Sequence, residues 1–580
     1  MITKNMKYLF ASGLVGCAIC AATTACSDML DTTSEMVEFQ EDNKLNHPTD
    51  SVYSVMGIIG RIQHIADRTV LLGEVRGDLV QVTDAANIDL KQLANFDAST
   101  ATEAGTAANA KNRYNVPADY YAVINNCNYY LAHVDTALQR RGRQIFKYEY
   151  AAVKAFRAWT YLELVKAYGK VPLVTKPVMT ELEAIGATRE PFADINEVCN
   201  YFIEDLTPYA ADITLPMFGE IDGYDSRRFF IPMRALLGDL CLWAGRYQEA
   251  AQWYHDYLSD YREIILLNAN NRVIWGSVTD FQRPPQDSYL KGEDEVLSFI
   301  PMEERVFDGV VSYLPDIFNS TRDNNYFFQV TPSQAMRSIS AEQIYCLYSN
   351  PDGGQIDTVY APRTGYTDNI FVGDLRLSSN YSQNSIGGQD PYSEYSTLRQ
   401  TIKKVNRTEI STYRRTLVYL RYAEALNRAG LPQSAFAVLK YGLCSENNYA
   451  RIDSIERAKA GDLITFPEDF KRETVIGIHS FGSGDTEYNQ FYVMPQPERE
   501  LATRQDTILY QIPLVEDLII QEMALEGAFE GQRYYDLMRV ALRRNDPAYL
   551  ADPISRRDGI ADEKLRSRIM DINNWYLKLN

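Results

Sequence analysis

The chain has 580 residues, a formal net charge of −19 at neutral pH and a hydrophobic fraction of 46%. Nucleic-acid phosphates and anionic lipids require a basic surface, so this charge argues against both as the main partner. The hydrophobic fraction is sufficient for a large core. Tyrosine is abundant, at 40 residues. Its ring and hydroxyl suit helix packing as well as half-exposed surfaces that contact sugars or peptides.

The N-terminus has the pattern of a secretory signal peptide. Lys4 and Lys7 precede an apolar run that continues to about residue 22, and Thr23-Thr24-Ala25-Cys26 follows it. A basic start, an apolar centre and small residues at the end predict a signal peptide over residues 1–25. Cys26 is then the predicted lipidated first residue of a bacterial lipoprotein, which acyl chains would hold in a membrane.

Two other interpretations of this segment remain open. Leu14-Val15-Gly16-Cys17 fits the usual pattern before a lipidated cysteine better, but cleavage there would leave residues 18–25 as an apolar stub. An uncleaved membrane helix is the other interpretation. The acidic residues that follow Cys26, without a basic stop signal, argue against it.

The central helix of the chain is predicted between Tyr148 and Gly169. Its apolar residues recur every three or four positions, the spacing of one helix face: Tyr148, Ala152, Ala155, Trp159, Leu162 and Val165. Gly169 suits a left-handed C-cap, and Pro172 prevents continuation of the helix. Residues 120–134 have the same spacing and precede this helix across a short linker, so the two helices are predicted to pack as an antiparallel hairpin.

Residues 50–66, 231–258 and 417–443 also have helical spacing. The last two segments share an Ala-Gly turn that resembles the turn of a tetratricopeptide unit, and Gly238 marks a close approach between two helices. Together these segments predict about four helix pairs. The first pair lacks a clear second helix.

Two stretches are predicted to consist mainly of loops. Residues 81–115 are polar and are expected to form a long loop over the helices. Residues 261–410 are rich in proline, glycine, asparagine and serine, with short strands expected at 296–300 and 401–405. Such loops on a helical scaffold are a common place for binding residues.

The sequence contains no arrangement typical of a catalytic or metal centre. Its five histidines are not at metal-ligand spacing, and phosphate-loop, zinc-protease and serine-hydrolase motifs do not occur. The Asp352-Gly353-Gly354 turn with Asp357 is more typical of a plain turn than of a calcium loop. Five cysteines follow the leader and are predicted to be buried free thiols: Cys127, Cys199, Cys241, Cys346 and Cys444.

Three regularly spaced carboxylates near the C-terminus allow either a catalytic or a structural interpretation. Glu522, Glu526 and Glu530 lie four residues apart and would share one face of a predicted helix. A glycosidase needs two carboxylates on opposite sides of the scissile bond, so this spacing allows an acid–base pair. Pairing with Arg533, Arg539 and cations of neighbouring helices is the simpler interpretation. We therefore predict a protein that is not an enzyme and that needs no metal or cofactor.

Several segments together resemble the SusD/RagB family of outer-membrane nutrient-binding lipoproteins. The matching segments occur in the family's order from about residue 26 to the end: Cys26–Thr32, Gly73–Asp78, Tyr148–Pro177, Gly373–Arg376, Ile402–Lys404, Pro513–Arg544 and Trp575–Leu577. The segment Pro513–Arg544 is the sharpest match, because it follows the family's "E...E...EG.R..DL.R" helix.

The resemblance implies a mostly α fold, with tetratricopeptide-like repeats and a loop-rich capping subdomain that contains short β-strands. It divides the chain into a signal peptide at 1–25, an N-terminal repeat region at 26–260, a ligand-binding subdomain at 261–410 and a C-terminal region at 411–580. It also implies a lipid-anchored protein on the outer membrane. Such a protein captures an oligosaccharide and delivers it to a SusC-like TonB-dependent transporter.

Two alternatives to glycan capture remain: a RagB-like peptide-binding subunit and a tetratricopeptide-type scaffold that binds only proteins. For a glycan, the resemblance implies a shallow site of loop aromatics with polar partners around it. The expected aromatic residues are Trp275, Phe96, Phe281, Tyr289 and Tyr313, and the expected polar partners are Asn95, Arg76 and Asp78. Arg76 and Asp78 are also close enough in sequence to form a structural ion pair.

Overall fold

The structure is a computed structural model, and its description covers most of the chain after residue 44. The described residues are 45, 47–97, 112–187, 189–212, 214–260, 295–320, 328–349, 357–360, 373–386, 397–405, 407–443, 449–467 and 476–579. The turn predicted at Asp352 and the thiol of Cys444 lie outside these residues. The described cysteines Cys127, Cys199, Cys241 and Cys346 are free and buried, as predicted.

The protein is mostly helical, as predicted. Its α-helices are α1 (Pro48–Glu74), α2 (Ile88–Ala94), α3 (Pro117–His133), α4 (Lys147–Tyr168), α5 (Glu181–Ala187), α6 (Ile195–Leu206), α7 (Met233–Trp243), α8 (Tyr247–Asp260), α9 (Leu314–Phe318), α10 (Gln334–Ala341), α11 (Arg376–Asn380), α12 (Arg415–Arg428), α13 (Pro432–Lys440), α14 (Ser454–Ala460), α15 (Ser480–Ser483), α16 (Arg504–Gly527), α17 (Arg533–Arg544), α18 (Ala548–Ser555) and α19 (Glu563–Ile569).

The described strands are short and form antiparallel pairs. The pairs are β1 (Val80–Val82) with β9 (Val330–Pro332), β2 (Gln139–Arg140) with β3 (Arg143–Gln144), β4 (Lys170–Pro172) with β5 (Phe192–Asp194), β6 (Glu220–Ile221) with β7 (Tyr224–Asp225), β8 (Val296–Pro301) with β14 (Glu409–Arg414), β10 (Cys346–Ser349) with β11 (Asp357–Tyr360), and β12 (Tyr381–Ile386) with β13 (Thr397–Ile402). The strand expected at 296–300 is therefore confirmed as β8.

The long helices form a stack in which each packs on the next along the chain. α1 packs on α3, α3 on α4, α4 on α6, α6 on α7, α7 on α8, α8 on α12 and α12 on α13. This order gives four helix pairs: α1 with α3, α4 with α6, α7 with α8, and α12 with α13. The predicted contact between α3 and α4 is confirmed, and α3 supplies the second helix that the first pair lacked. α16 then packs on α12 and α13 and continues the stack.

Glycines at the ends and contacts of these helices have the roles expected of them. Gly169 follows α4 with a φ of +77°, and a Cβ there would lie 2.7 Å from the Tyr576 ring. The glycine therefore both ends the helix and admits the C-terminal segment. A Cβ on Gly238 would lie 2.5 Å from the ring of Tyr254, so this glycine sets the close contact between α7 and α8.

Three expectations about local structure are wrong. Residues 88–94 are the helix α2 rather than loop, because the Asn87 side chain accepts a hydrogen bond from Leu90 N and the apolar side chains of the helix are buried. The second expected strand ends at Ile402, three residues early. The single helix expected across 513–544 is two helices, α16 and α17, because Phe529 and Gly531 adopt φ of +69° and +81° and turn the chain.

Candidate functional site

Three of the eight predicted ligand-binding residues lie outside the described residues. These are Trp275, Phe281 and Tyr289, and the predicted lipidation residue Cys26 also lies outside. The structure describes the other predicted residues, and it separates them into a buried group and an exposed group.

Arg76, Asp78 and Phe96 are buried, with exposed fractions of 2%, 1% and 8%. The Arg76 guanidinium donates to the Tyr534 hydroxyl at 2.9 Å and to the Trp575 carbonyl, and it lies against the Phe96 ring. The expected pair between Arg76 and Asp78 is therefore wrong. The Asp78 carboxylate instead accepts two hydrogen bonds from Arg533, at 2.6 and 2.9 Å. These side chains hold the end of α1 against the C-terminal region, and solvent does not reach them.

Tyr313 and Asn95 are exposed and remain open to a ligand. Tyr313 is 38% exposed, and its ring stacks on the buried Tyr114 ring with centroids 6.4 Å apart. Asp67 fixes the turn by accepting hydrogen bonds from Tyr313 N at 2.8 Å and from the Ser312 hydroxyl at 2.6 Å. Asn95 caps the C-terminus of α2.

The C-terminal carboxylates form part of a buried charge network rather than an acid–base pair. We define the carboxylate network as Asp374, Arg376, Arg414, Glu522, Glu526 and Glu530. Glu522 is 1% exposed, and Arg376 lies 2.6 Å from it. Burial alone would raise the pKa of Glu522, but Arg376 and His479 outweigh it and hold that pKa at about 2. A general acid needs a raised pKa and access to substrate, and Glu522 has neither.

The partners expected for these carboxylates are partly corrected. Arg539 pairs with Glu424 and, at 2.9 Å, with Asp536 rather than with these three carboxylates. Arg533 pairs with Asp78 rather than with a C-terminal carboxylate. Glu530 lies beyond the end of α16 and reaches Arg414 and Lys404 from the turn. The carboxylates find these partners through the tertiary fold, so helix spacing could not reveal them.

A cleft of about 890 Å³ opens where several helices of the stack end. The C-terminal ends of α4, α7, α12 and α17 meet the N-terminal ends of α6 and α8 around it, and the last residues of the chain close one side. We call this cavity the helix-end cleft. Its aromatic lining consists of Tyr168, Phe192, Trp243, Tyr247 and Tyr576. Its size lies in the range of small-molecule pockets.

Arginines support the aromatic floor of the helix-end cleft. The Arg539 guanidinium lies 5.3 Å from the Trp243 ring centre, and Arg428 and Arg543 lie 5.4 and 5.5 Å from the Tyr247 ring centre. Such cation–π contacts fix the orientation of the rings. The arginines also suit helix C-termini, where the helix dipole favours positive charge.

Buried carboxylates neutralise these arginines from behind. Arg539 binds Glu424 at 2.8 Å, and Arg428 contacts both Glu424 and Glu516. Burial alone would lower the pKa of Arg539, but Glu424 and Asp536 outweigh it and raise that pKa above its ordinary value. The arginines are therefore charged and already paired, and the exposed cations of the lining are Lys170 and Lys578.

The open wall of the cleft carries amides and one exposed ring. Phe192 is 52% exposed, and the side chains of Asn196 and Asn573 are exposed beside it. The Asp194 carboxylate is occupied as the N-cap of α6, where it accepts hydrogen bonds from Asn196 N and Glu197 N. Helix C-terminal carbonyls add further hydrogen-bond acceptors. An aromatic floor with amides and carbonyls around it suits a polyhydroxylated ligand.

Sequence reasoning missed this cleft because its residues come from the ends of separate helices. One signal was present: Trp243 and Tyr247 flank the Ala-Gly turn between α7 and α8, and a repeat turn does not need two large aromatic residues. The rest of the lining depends on how α4, α6, α12 and α17 are placed around that turn, which local sequence does not state.

The structure was compared with known proteins. A SusD superfamily protein from Bacteroides vulgatus ATCC 8482 aligns with a TM-score of 0.50 and 14% identity, covering 90% of this chain and 91% of its own. A SusD superfamily protein from Bacteroides thetaiotaomicron VPI-5482 aligns with a TM-score of 0.50 and 14% identity, covering 85% of this chain and 89% of its own. The chain has a SusD-like fold. The resemblance inferred from the sequence motifs is confirmed at this level.

A third solved structure is described as a SusD-like carbohydrate-binding protein from Bacteroides fragilis NCTC 9343. It aligns with a TM-score of 0.48 and 15% identity, covering 86% of this chain and 87% of its own. No protein-family model and no curated protein sequence matches this chain.

Two further observations concern the described residues alone. None of the helices among them is long and apolar enough to cross a membrane. Within the same residues, no group of three or more His, Cys, Asp or Glu side chains is arranged to hold a metal ion.

Proposed function

We propose that this protein captures an oligosaccharide at the bacterial cell surface and delivers it to a SusC-like TonB-dependent outer-membrane transporter. In this proposal it binds without catalysis, and the acyl chains on Cys26 anchor it to the outer membrane after residues 1–25 are removed. The observation that carries the proposal is the SusD-like fold over most of the chain. The burial of Glu522 and Glu526 supports binding rather than hydrolysis.

Two groups of residues are proposed to contact the glycan. The first is the helix-end cleft, where Phe192 offers an exposed ring beside amides. The second is the loop group inferred from the family resemblance: Trp275, Phe281, Tyr289, Tyr313 and Asn95. The region at 261–410, which contains four of these five residues, is the proposed ligand-binding subdomain. The loss of glycan affinity in single variants of each group shows which group contributes more to binding.

The test is calorimetric titration of the purified protein with maltoheptaose, xylohexaose, laminarihexaose and mannohexaose. We expect saturable binding of one class. The variant Phe192→Ala should weaken that binding about tenfold, the loss of roughly one aromatic contact. Its melting temperature should be unchanged, because Phe192 is 52% exposed. Tyr510→Ala is a matched control, since Tyr510 is 39% exposed and does not line the cleft.

The loop group predicts a different pattern in the same titration. If the glycan binds there, Trp275→Ala and Tyr313→Ala weaken binding and Phe192→Ala does not. Binding of peptides, with no glycan bound, would replace glycan capture by the RagB-like alternative. If neither glycans nor peptides bind, the proposed ligand class is contradicted.

A further inference from the structure

Outside the helix-end cleft, the exposed Tyr488 and the half-buried Tyr348 stack with nearly parallel rings. The rings of Tyr348 and Tyr488 have centroids 3.7 Å apart and planes inclined by 7°. Tyr488 is 42% exposed. Because Tyr348 covers one face of the Tyr488 ring, the exposed area of Tyr488 belongs to its opposite face and its edge. A large aromatic face is therefore open to solvent while its position is fixed from behind.

The turn that carries Tyr488 is held rigidly against β10. Gly484 approaches the strand so closely that a Cβ would lie 2.1 Å from the Cys346 carbonyl oxygen, and its φ is +79°. The Asp485 side chain accepts a hydrogen bond from Tyr348 N at 2.8 Å. The next residue after Tyr488 is also held, because the Asn489 side-chain amide donates to the Ile344 carbonyl at 2.9 Å. The stacked pair is thus fixed before any ligand binds, which lowers the entropy cost of binding.

Polar groups border the stacked pair. Arg451 forms an ion pair with Glu487 at 2.6 Å, and their side chains are 42% and 40% exposed. The Arg451 guanidinium also lies 4.4 Å from the centre of the Tyr441 ring. We call Tyr348, Tyr441, Arg451, Glu487 and Tyr488 the tyrosine platform. Each member contacts or adjoins the next, so the platform is continuous.

We infer that the tyrosine platform is a second glycan-binding surface, on which a pyranose ring packs its apolar C–H face against Tyr488. The inference rests on the proposed function for the ligand class. An open aromatic face bordered by a guanidinium and a carboxylate matches a sugar, which has an apolar face and a rim of hydroxyls. Arg451 donates to ring hydroxyls and Glu487 accepts from them, which a purely apolar partner would not need.

The platform and the cleft are separate surfaces. Arg428 lines the cleft at the end of α12, whereas Tyr441 follows the far end of α13. α13 has 9 residues, which corresponds to about 14 Å. A short oligosaccharide that fills the cleft would leave the platform free, and a long chain can occupy both. Simultaneous contact raises the affinity for long chains without altering that for short ones.

The experiment compares short and long forms of one glycan on the purified full chain. The probes are the oligosaccharide that binds in the calorimetric panel and its parent polysaccharide, chosen among amylose, xylan, laminarin and mannan. Retardation in a native gel that contains the polysaccharide measures binding of the long form. We expect Tyr488→Ala to weaken polysaccharide binding about tenfold and to leave the oligosaccharide affinity unchanged. Tyr488→Phe should retain most of the binding, because it keeps the ring. Tyr510→Ala, at similar exposure, should bind as wild type does.

Three outcomes would overturn the inference. Unchanged polysaccharide binding by Tyr488→Ala, with Phe192→Ala or Trp275→Ala still impaired, removes the platform and leaves the proposed function intact. Equal losses in Tyr488→Phe and Tyr488→Ala exclude stacking. If wild type binds no glycan of either length, the proposed function fails together with this inference.

Discussion

Two groups of side chains, each an Arg–Glu ion pair beside a pair of stacked rings, share the segment 479–492. One group is buried and the other is exposed. In the interior, Arg376 pairs with Glu522 beside the stacked rings of His479 and Tyr492, whose centroids are 3.9 Å apart. At the surface, Arg451 pairs with Glu487 beside the stacked Tyr348 and Tyr488 rings. The side chains of the inner ion pair are 0% and 2% exposed, and those of the outer pair are 42% and 40% exposed.

The difference shows that solvent access, rather than residue type, separates a fold determinant from a binding surface. An ion pair inside the protein has no competing water, so each charge depends on its partner. The outer pair exchanges its contacts with water at little cost, which leaves both side chains available to a ligand. All members of the carboxylate network except Arg414 lie in segments that carry the family resemblance, whereas no member of the platform does.

The largest expected effect comes from breaking the inner pair. Arg376→Met removes the guanidinium that faces Asp374, Glu522 and Glu526, and leaves three buried carboxylates without that partner. We expect the free energy of unfolding to fall by about 3–5 kcal/mol, the usual cost of an unpaired buried charge. Urea unfolding followed by circular dichroism measures the change. A loss of less than about 1 kcal/mol would show that the network does not stabilise the fold.

A smaller effect is expected from a neighbouring buried carboxylate with the opposite pKa shift. Burial raises the pKa of Glu74 to about 7, although hydrogen bonds from Phe529 N and Gly531 N and the charge of Lys404 oppose the shift. An unfolded glutamate has a pKa of about 4.3. The folded state therefore holds the proton more tightly, and this contribution to stability is lost as the pH rises from about 4 through 7.

Glu74→Gln tests this linkage because glutamine does not titrate. We expect the urea midpoint of wild type to decline between pH 4.5 and 7.5 more than that of the variant, and the difference between the two curves to level off above pH 8. Burial also raises the pKa of Asp67, to about 6, so some decline should remain in the variant. Parallel curves would contradict a raised pKa at Glu74.

Local periodicity predicted much of this fold, and long-range pairing accounts for what it missed. The stripe at Tyr148–Val165 is the helix α4, because a helix face depends only on residues three and four apart. The partner of Asp78 is Arg533, which follows it by 455 residues, and no local pattern can name such a pair. The same limit explains the missed cleft. Trp243 and Tyr247 form the floor of the cleft because the fold brings arginines of other helices against them. Arg539 lies against Trp243, and Arg428 and Arg543 lie against Tyr247.

Breaking the outer ion pair, Arg451 with Glu487, is expected to have the smallest effect on stability and is the closest control for Arg376→Met. Arg451→Met makes the same change in an ion pair with glutamate beside a tyrosine stack, but in an exposed setting. We expect the free energy of unfolding to change by less than about 1 kcal/mol, as for other exposed ion pairs.

Polysaccharide binding by Arg451→Met should weaken about threefold, because the variant loses a guanidinium that donates hydrogen bonds to sugar hydroxyls. The face of the Tyr488 ring stays open. Urea unfolding and native-gel retardation on the same preparation give both values. A loss of stability close to that of Arg376→Met would assign Arg451 to the fold, and the contrast between the two groups would then fail. A small change in stability together with weaker binding would instead assign Arg451 to the ligand rather than to the fold.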